Sequence, residues 1–473
     1  MDETIYTIWA RINFDQFEKP LPNEIELVPL QKANPVRFEK KMHNGLEFEL
    51  EFILKTALIE AGNSKKKDWS LKKSKYLKSI LKELRNFSNE LDKNSKGDNV
   101  LYAFNRIAHH QFFWQEKINF YSLFRYYFLY NNPKMENIIK EKIGLTPFEI
   151  FIIGMILTFQ FRDRFKLLCP IESHIPEISD DNIKKFIDTF SIALPELQEE
   201  IKKNFDSSEK IFFSFNPLIA KPIIKYSDSI IAPLPSFIYW QITKGLYYSV
   251  VDCVGFDNAF GKSFEDFTGT LMKRSINKKN FKIIPEHAYK SGKDRKDSVD
   301  WLLKDDSGLI FIECKTKRLT MHSKFSYELN DMETDVNKMV SFISQAYKTY
   351  VDYKSNLYET IKYDSKISHK IIILTLEEWY FGINPLITER VKESVKVKLE
   401  NQKIDISLLE EVPYYIMSAH QYEIEIQAIN NLGIEKYFEE FDSNKIQDSK
   451  DKMEFVNVFA EDFDREFFSK LKR

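Results

Sequence analysis

Residues 299–315, VDWLLKDDSGLIFIECK, constrain this chain more than any other stretch. Two apolar runs of strand length flank a short polar segment ending in glycine, the pattern of a β-hairpin. If Asp305 to Gly308 form a four-residue loop, Lys304 pairs with Leu309, and counting back sets Asp300 opposite Glu313. Side chains alternate along a strand, so Glu313 and Lys315 share one face and Cys314 takes the other. Three charged groups are thereby expected to converge at the end of an otherwise apolar hairpin.

The neighbouring sequence supplies elements around this hairpin. A helix is expected over Asn258 to Arg274, with Phe260, Phe264, Phe267 and Leu271 on one stripe. The strand FKIIPEHAY follows, and a polar loop, KSGKDRKD, leads into the hairpin. A helix from near Asn330 to about Tyr353, a strand over Lys370 to Leu376, and a further strand and helix within PYYIMSAHQYEIEIQAI complete an α/β order. Residues 1–205 differ. They carry helical leucine spacing at Leu71, Leu77, Leu81, Leu84 and Leu91, an aromatic-dense run from Phe112 to Tyr130, and a capping box at Thr146 and Glu149. Between them, residues 206–256 suggest a connector of short strands punctuated by proline and one helix. The expected domains are therefore 1–205, 206–256 and 257–473.

Composition narrows the function classes. With 13 glycines and 16 prolines in 473 residues, long helices are favoured over a turn-dense sandwich. The net charge is −2, yet Leu271 to Phe325 holds fourteen Lys/Arg against seven Asp/Glu. Any basic surface is local to the hairpin region. Three scattered cysteines exclude a disulfide scaffold and a four-cysteine zinc site, and fit a reducing cytoplasm. The start has no signal-peptide pattern, and the apolar stretch Phe151 to Phe161 is too short to span a bilayer, so no membrane partner is expected. His109, His110 and His287 have no partner at metal-ligand spacing, and no phosphate-binding or dinucleotide-binding loop is present.

Two carboxylates held about 5 Å apart repel unless a cation or proton is shared. Paired carboxylates suit a hard divalent ion such as Mg²⁺, and an adjacent lysine can stabilise charge on a phosphoryl oxygen or hold the attacking water. Asp300 followed by Glu313-Cys314-Lys315 resembles the bipartite motif of the PD-(D/E)xK nuclease superfamily, and Glu265 stands where many members carry a glutamate on the preceding helix. Val299 replaces the proline of the motif name. Gln345 and Tyr350 come close to a Gln/Tyr pair of some exonuclease-like branches, but with one residue too many between them. The resemblance covers about Asp257 to Tyr353 and does not reach the first 205 residues.

The resemblance implies a restriction-endonuclease-like α/β/α core with a central mixed sheet, behind a mostly helical N-terminal region. It implies phosphodiester hydrolysis with Mg²⁺ or Mn²⁺ held by Asp300 and Glu313, supported by Glu265, with Lys315 orienting or activating water. DNA is the expected substrate, with RNA left open, and Lys293, Arg295, Lys296, Lys317 and Arg318 are the expected nucleic-acid contacts. Glu286 is a minor candidate for an outer carboxylate. A cytoplasmic role in defence against phage or foreign DNA is one expectation. Regulation, oligomerisation or protein partnership through the helical region is another. The alternative is a non-catalytic binding module on the same core.

Overall fold

The structure, a computed structural model, describes residues 2–26, 47–59, 70–93, 108–109, 114, 118–205, 214–324, 329–383 and 385–468. Lys65 to Lys67, Phe112 and Phe113 of the aromatic run, and His110 lie outside them. The protein mixes helices and sheets.

The N-terminal half contains helices α1 (Asp2–Phe17), α2 (Glu47–Ile59), α3 (Ser74–Lys93), α4 (Phe120–Tyr130), α5 (Pro133–Ile143), α6 (Pro147–Asp163), α7 (Asp180–Phe190) and α8 (Leu194–Asn204). Helix α6 starts as its sequence dictates. The Thr146 hydroxyl accepts from the Glu149 amide and the Glu149 carboxylate accepts from the Thr146 amide. The helix packs against α4, α5 and α7, and most of its apolar residues are buried.

A small sheet of β1 (Lys166–Leu168), β2 (Ser191–Ala193), β3 (Ile223–Tyr226) and β4 (Ser229–Ile231) runs in the order β1-β4-β3-β2. Two of its strands precede residue 205 and two follow it. Helix α9 (Pro235–Trp240), which continues through a π-turn at Gln241–Gly245, packs against α6. Residues 214–250 therefore belong to the helical half, and the expected separate connector is not a structural unit. A three-residue strand is too short to announce its partner in sequence.

The second half opens with α10 (Phe256–Ser275) and carries β5 (Lys282–Pro285), β6 (Ala288–Ser291), β7 (Asp294–Asp297), β8 (Trp301–Lys304), β9 (Gly308–Lys315), α11 (Leu329–Lys354), β10 (Ser368–Thr375), α12 (Pro385–Asn401), β11 (Tyr414–Ser418) and α13 (Ala419–Leu432). Five of these strands form one sheet in the order β11-β10-β9-β8-β5. β5, β8 and β9 are successively antiparallel, while β9, β10 and β11 are parallel. The parallel strands are buried on both faces, which is why LIFI and IIIL are continuous apolar runs rather than alternating ones.

Alternation along the strands divides the core in two. Leu303, Ile310, Ile312, Ile372 and Leu374 join α10, α13 and the helical half in one continuous apolar cluster. Leu302, Leu309, Phe311, Ile371 and Ile373 face α11 and α12 in a second. The helical half also docks by charge. Arg125 on α4 makes two hydrogen bonds, 2.9 and 2.8 Å, to the Glu423 carboxylate on α13, and both side chains are buried.

Candidate active site

The hairpin closes at Asp305. Its Oδ1 accepts from the amides of Ser307 and Gly308 at 2.8 Å, and its Oδ2 accepts from the Ile434 amide at 2.9 Å. Gly308 is required because a Cβ there would collide with Ile434. With the loop so fixed, Lys304 pairs with Leu309, Leu302 with Phe311 and Trp301 with Ile312. This is the register expected from the loop length. One step further sets Asp300 beside Glu313. The Cys314 amide donates to Asp300 Oδ2 at 2.6 Å, tying the residue before β8 to the end of β9.

Leu302 and Phe311 belong to the α11 side of the sheet. Alternation carries Asp300, Glu313 and Lys315 to that same side. Lys315 Nζ donates to Glu313 Oε1 at 2.6 Å and lies 5.2 Å from the centre of the Phe342 ring on α11. Cys314 turns the other way, half-buried, with its thiol 3.5 Å from the Thr268 hydroxyl on α10. Burial first, and then the Asp300 charge, push that thiol well above its ordinary pKa.

The electrostatics follow from this crowding. Burial, and next the Glu313 carboxylate, raise the Asp300 pKa from 3.8 to about 8, with Glu265 adding to the rise. Burial and the neighbouring Glu313 charge therefore both disfavour ionisation of Asp300. Burial alone would lower the Lys315 pKa, but Glu313 and then Asp300 more than compensate and leave it raised. Lys315 is therefore a fixed ammonium, a donor rather than a proton acceptor.

Glu265 reaches the rim of this cluster. The Trp301 indole donates to the Glu265 carbonyl at 3.0 Å and so fixes that turn of α10 over the sheet edge. Its carboxylate accepts from Lys262 at 2.9 Å. Its charge raises Asp300 and Glu286, yet among the described residues no three His, Cys, Asp or Glu side chains gather closely enough to form a metal-holding group. The structure brings Asp300, Glu313 and Lys315 together and leaves Glu265 beside them. Glu286, a minor candidate by sequence, is close as well. Its amide donates to the Asp300 carbonyl at 2.8 Å, and desolvation, then Glu265 and Asp297, hold its carboxyl above the usual range.

The expected nucleic-acid contacts divide. Lys293, Arg295 and Lys317 are exposed, and Lys296 is exposed while pairing with Asp352 at 2.8 Å. Arg318 turns inward and is 5% exposed, which corrects its assignment as a phosphate contact. It pairs with Glu377 at 3.1 Å, donates to the Lys244 carbonyl at 2.7 Å and lies 4.0 Å above the Tyr247 ring. A guanidinium so enclosed already has its anion. Gln345 is exposed and Tyr350 is buried against His369, so the two do not act together. KSGKDRKD is part of a hairpin rather than a loop, since β6 and β7 pair antiparallel across a two-residue turn at Gly292 and Lys293. Gly292 sits at φ +66° in the first turn position, which is the signal in the sequence that identifies such a turn.

No protein-family model, curated protein or solved structure matches this chain. Among the described residues no single helix is long and apolar enough to cross a membrane.

Proposed function

We propose that this protein is a metal-dependent nuclease that hydrolyses DNA phosphodiester bonds, with its site on a restriction-endonuclease-like core formed by residues 257–473. The carrying observation is the register of the β8–β9 hairpin, which opposes Asp300 and Glu313 and sets Lys315 on Glu313. The order of α10, the antiparallel β5, β8 and β9, helix α11 and the parallel β10 supports that reading of the core.

The donor set fits Mg²⁺ or Mn²⁺. Two carboxylates share one face, and burial, then the Glu313 charge, hold the Asp300 carboxyl well above the usual carboxylate range. A divalent cation relieves that repulsion with the oxygen ligands it prefers. Asp300 and Glu313 would hold the ion, with Glu265 and Glu286 placed to reach it through water. When bound, the ion supplies a Lewis acid for the phosphoryl oxygen and a lowered pKa for a coordinated water. Asp300 is oriented for this by the Cys314 amide. Lys315 holds a charge that can transfer from Glu313 to a non-bridging phosphoryl oxygen as negative charge builds there. Its raised pKa makes it a charge stabiliser and water-positioning donor, and proton removal falls to another group.

The exposed Lys293, Arg295 and Lys317 would bind the phosphate backbone on either side of these carboxylates. A role in defence against foreign DNA accords with a nuclease core joined to a large helical half. The test is cleavage of plasmid and linear DNA with Mg²⁺, Mn²⁺ or EDTA. Cleavage that requires the metal and is lost in Asp300→Asn supports the reading. A wild-type protein that cuts no nucleic acid with any divalent ion overturns it.

A further inference from the structure

The β6–β7 hairpin is a two-stranded ribbon inserted between the strands of the site. It leaves the main sheet after Glu286 and returns at Ser298, two residues before Asp300. Its base is anchored. The Tyr289 hydroxyl and Lys296 both bond to Asp352 on α11, at 2.7 and 2.8 Å, and His287 lies 2.7 Å from the Thr360 hydroxyl. Lys290 and every residue from Gly292 to Asp297 are exposed.

The pairing sets the side chains on two faces. Tyr289 pairs with Lys296 and Ser291 with Asp294, and this face carries the anchor. Lys290 pairs with Arg295 on the other face, with Lys293 at the tip. Like charges directly opposite each other weaken a strand pair, so fold stability does not explain Lys290 against Arg295. An anionic partner does. The one acidic residue of that face, Asp297, stands at the base opposite Ala288, near enough to Glu286 to raise its carboxyl. The outer face is basic where a polyanion would approach and acidic only where a metal would sit.

Building on the proposed nuclease reading, we infer that this ribbon enters the major groove of duplex B-form DNA and that its base thereby sets the backbone at Asp300 and Glu313. The dimensions fit. Beyond the anchored base, three residues per side, turn included, project roughly 10 Å, and a B-DNA major groove about 12 Å wide and 8.5 Å deep admits a two-stranded ribbon. The major groove of A-form RNA is too narrow for side chains to read, so the same ribbon selects against duplex RNA. Lys290, Lys293 and Arg295 are long enough to reach groove walls or guanine edges, which accept from such donors.

The experiment uses the full-length protein with a 30-base-pair DNA duplex, the RNA duplex of the same sequence, and Ca²⁺ in place of Mg²⁺. Binding is followed by fluorescence anisotropy across a salt series, and guanine N7 atoms in the major groove are probed with dimethyl sulphate. Wild type is expected to bind the DNA duplex at least tenfold tighter than the RNA duplex and to protect a patch of guanine N7. The triple variant Lys290→Ser, Lys293→Ser, Arg295→Ser should lose at least tenfold in DNA affinity and the N7 protection. Its log–log salt slope should shrink by about 2.7, or ~0.9 for each phosphate that is no longer neutralised. Equal binding by the variant, equal affinity for RNA, no N7 protection by wild type, or no DNA binding at all overturns the inference. The footprint on wild type needs no variant, so a misfolded triple variant does not decide the matter. If wild type cleaves in an Asp300-dependent way while the triple variant binds normally, the ribbon inference falls and the nuclease reading stands. If the ribbon results hold but no divalent ion supports cleavage, the reverse follows.

Discussion

Asp300→Asn should make the metal-free protein more stable, and increasingly so as pH rises. The asparagine keeps the shape and the acceptor for the Cys314 amide while removing a charge that burial, and then Glu313, oppose. Asp300 is raised in the folded state from 3.8 to about 8, so between those values the folded protein holds a proton that the unfolded chain has lost. Folding stability then falls as pH rises, by about 1.4 kcal/mol per unit, and levels off above pH 8. Allowing about half for relaxation around the site, the advantage of Asp300→Asn should grow by ~1.5–3 kcal/mol between pH 5.5 and pH 8. Urea unfolding in EDTA at pH 5.5 and pH 8 measures this directly. Adding Mg²⁺ at ten times its dissociation constant should stabilise wild type by about 1.4 kcal/mol at pH 8 and the variant by less. A variant that is less stable than wild type at both pH values, or whose advantage does not change with pH, would refute the argument that burial and the Glu313 charge together penalise an ionised Asp300.

Other perturbations test other parts. Lys315→Ala should reduce single-turnover cleavage by ~10²–10³ while Mg²⁺ still stabilises the protein, because the ammonium acts mainly on transition-state charge. Equal loss of metal binding would count against that role. Glu377→Gln should destabilise by about 3–5 kcal/mol in urea, since it leaves the Arg318 guanidinium buried without its anion. Burial would raise the Glu377 carboxyl, but Arg318, Lys324 and Lys244 together hold it at about 2. Its contribution is fully present above pH 4.5 and fades only as pH falls toward 2, so the Glu377→Gln loss should be constant from pH 5 to 8. Cys314 should react with a thiol reagent far more slowly than exposed Cys169, because its thiol is raised and packed on Thr268. Comparable rates in the folded protein would contradict this.

The parts of the site that follow local rules were legible in the sequence. A four-residue loop determines a register, so the opposition of Asp300 and Glu313 and the turn of Cys314 to the opposite face of the sheet could be counted from residue order. The stripe of α10 at Phe260, Phe264 and Phe267 was legible for the same reason. What depended on distant contacts was not. Arg318 follows the last strand residue by three, and nothing nearby says that Glu377 and Tyr247 enclose it. Residues 214–250 looked like a connector because β3 and β4 find their sheet partners in β1 and β2, more than thirty positions away. The β6–β7 ribbon was hidden by its polarity. With both faces largely solvated it lacks the apolar alternation that marks a strand, and only Gly292 signalled the turn.

The apolar cluster that runs from the N-terminal helices into the central sheet bears on how such a chain can be inherited. A core with one owner can be lifted into another protein, but Ile312 and Leu374 share theirs with Tyr126 and Phe151. Arg125 and Glu423 are 298 residues apart, and reversing the charge of one requires a matching change in the other. Recombination within the chain would therefore separate complementary surfaces, leaving each fragment with an uncovered face. Such a protein is expected to diversify by paired substitutions across the joint and to travel between genomes as one piece.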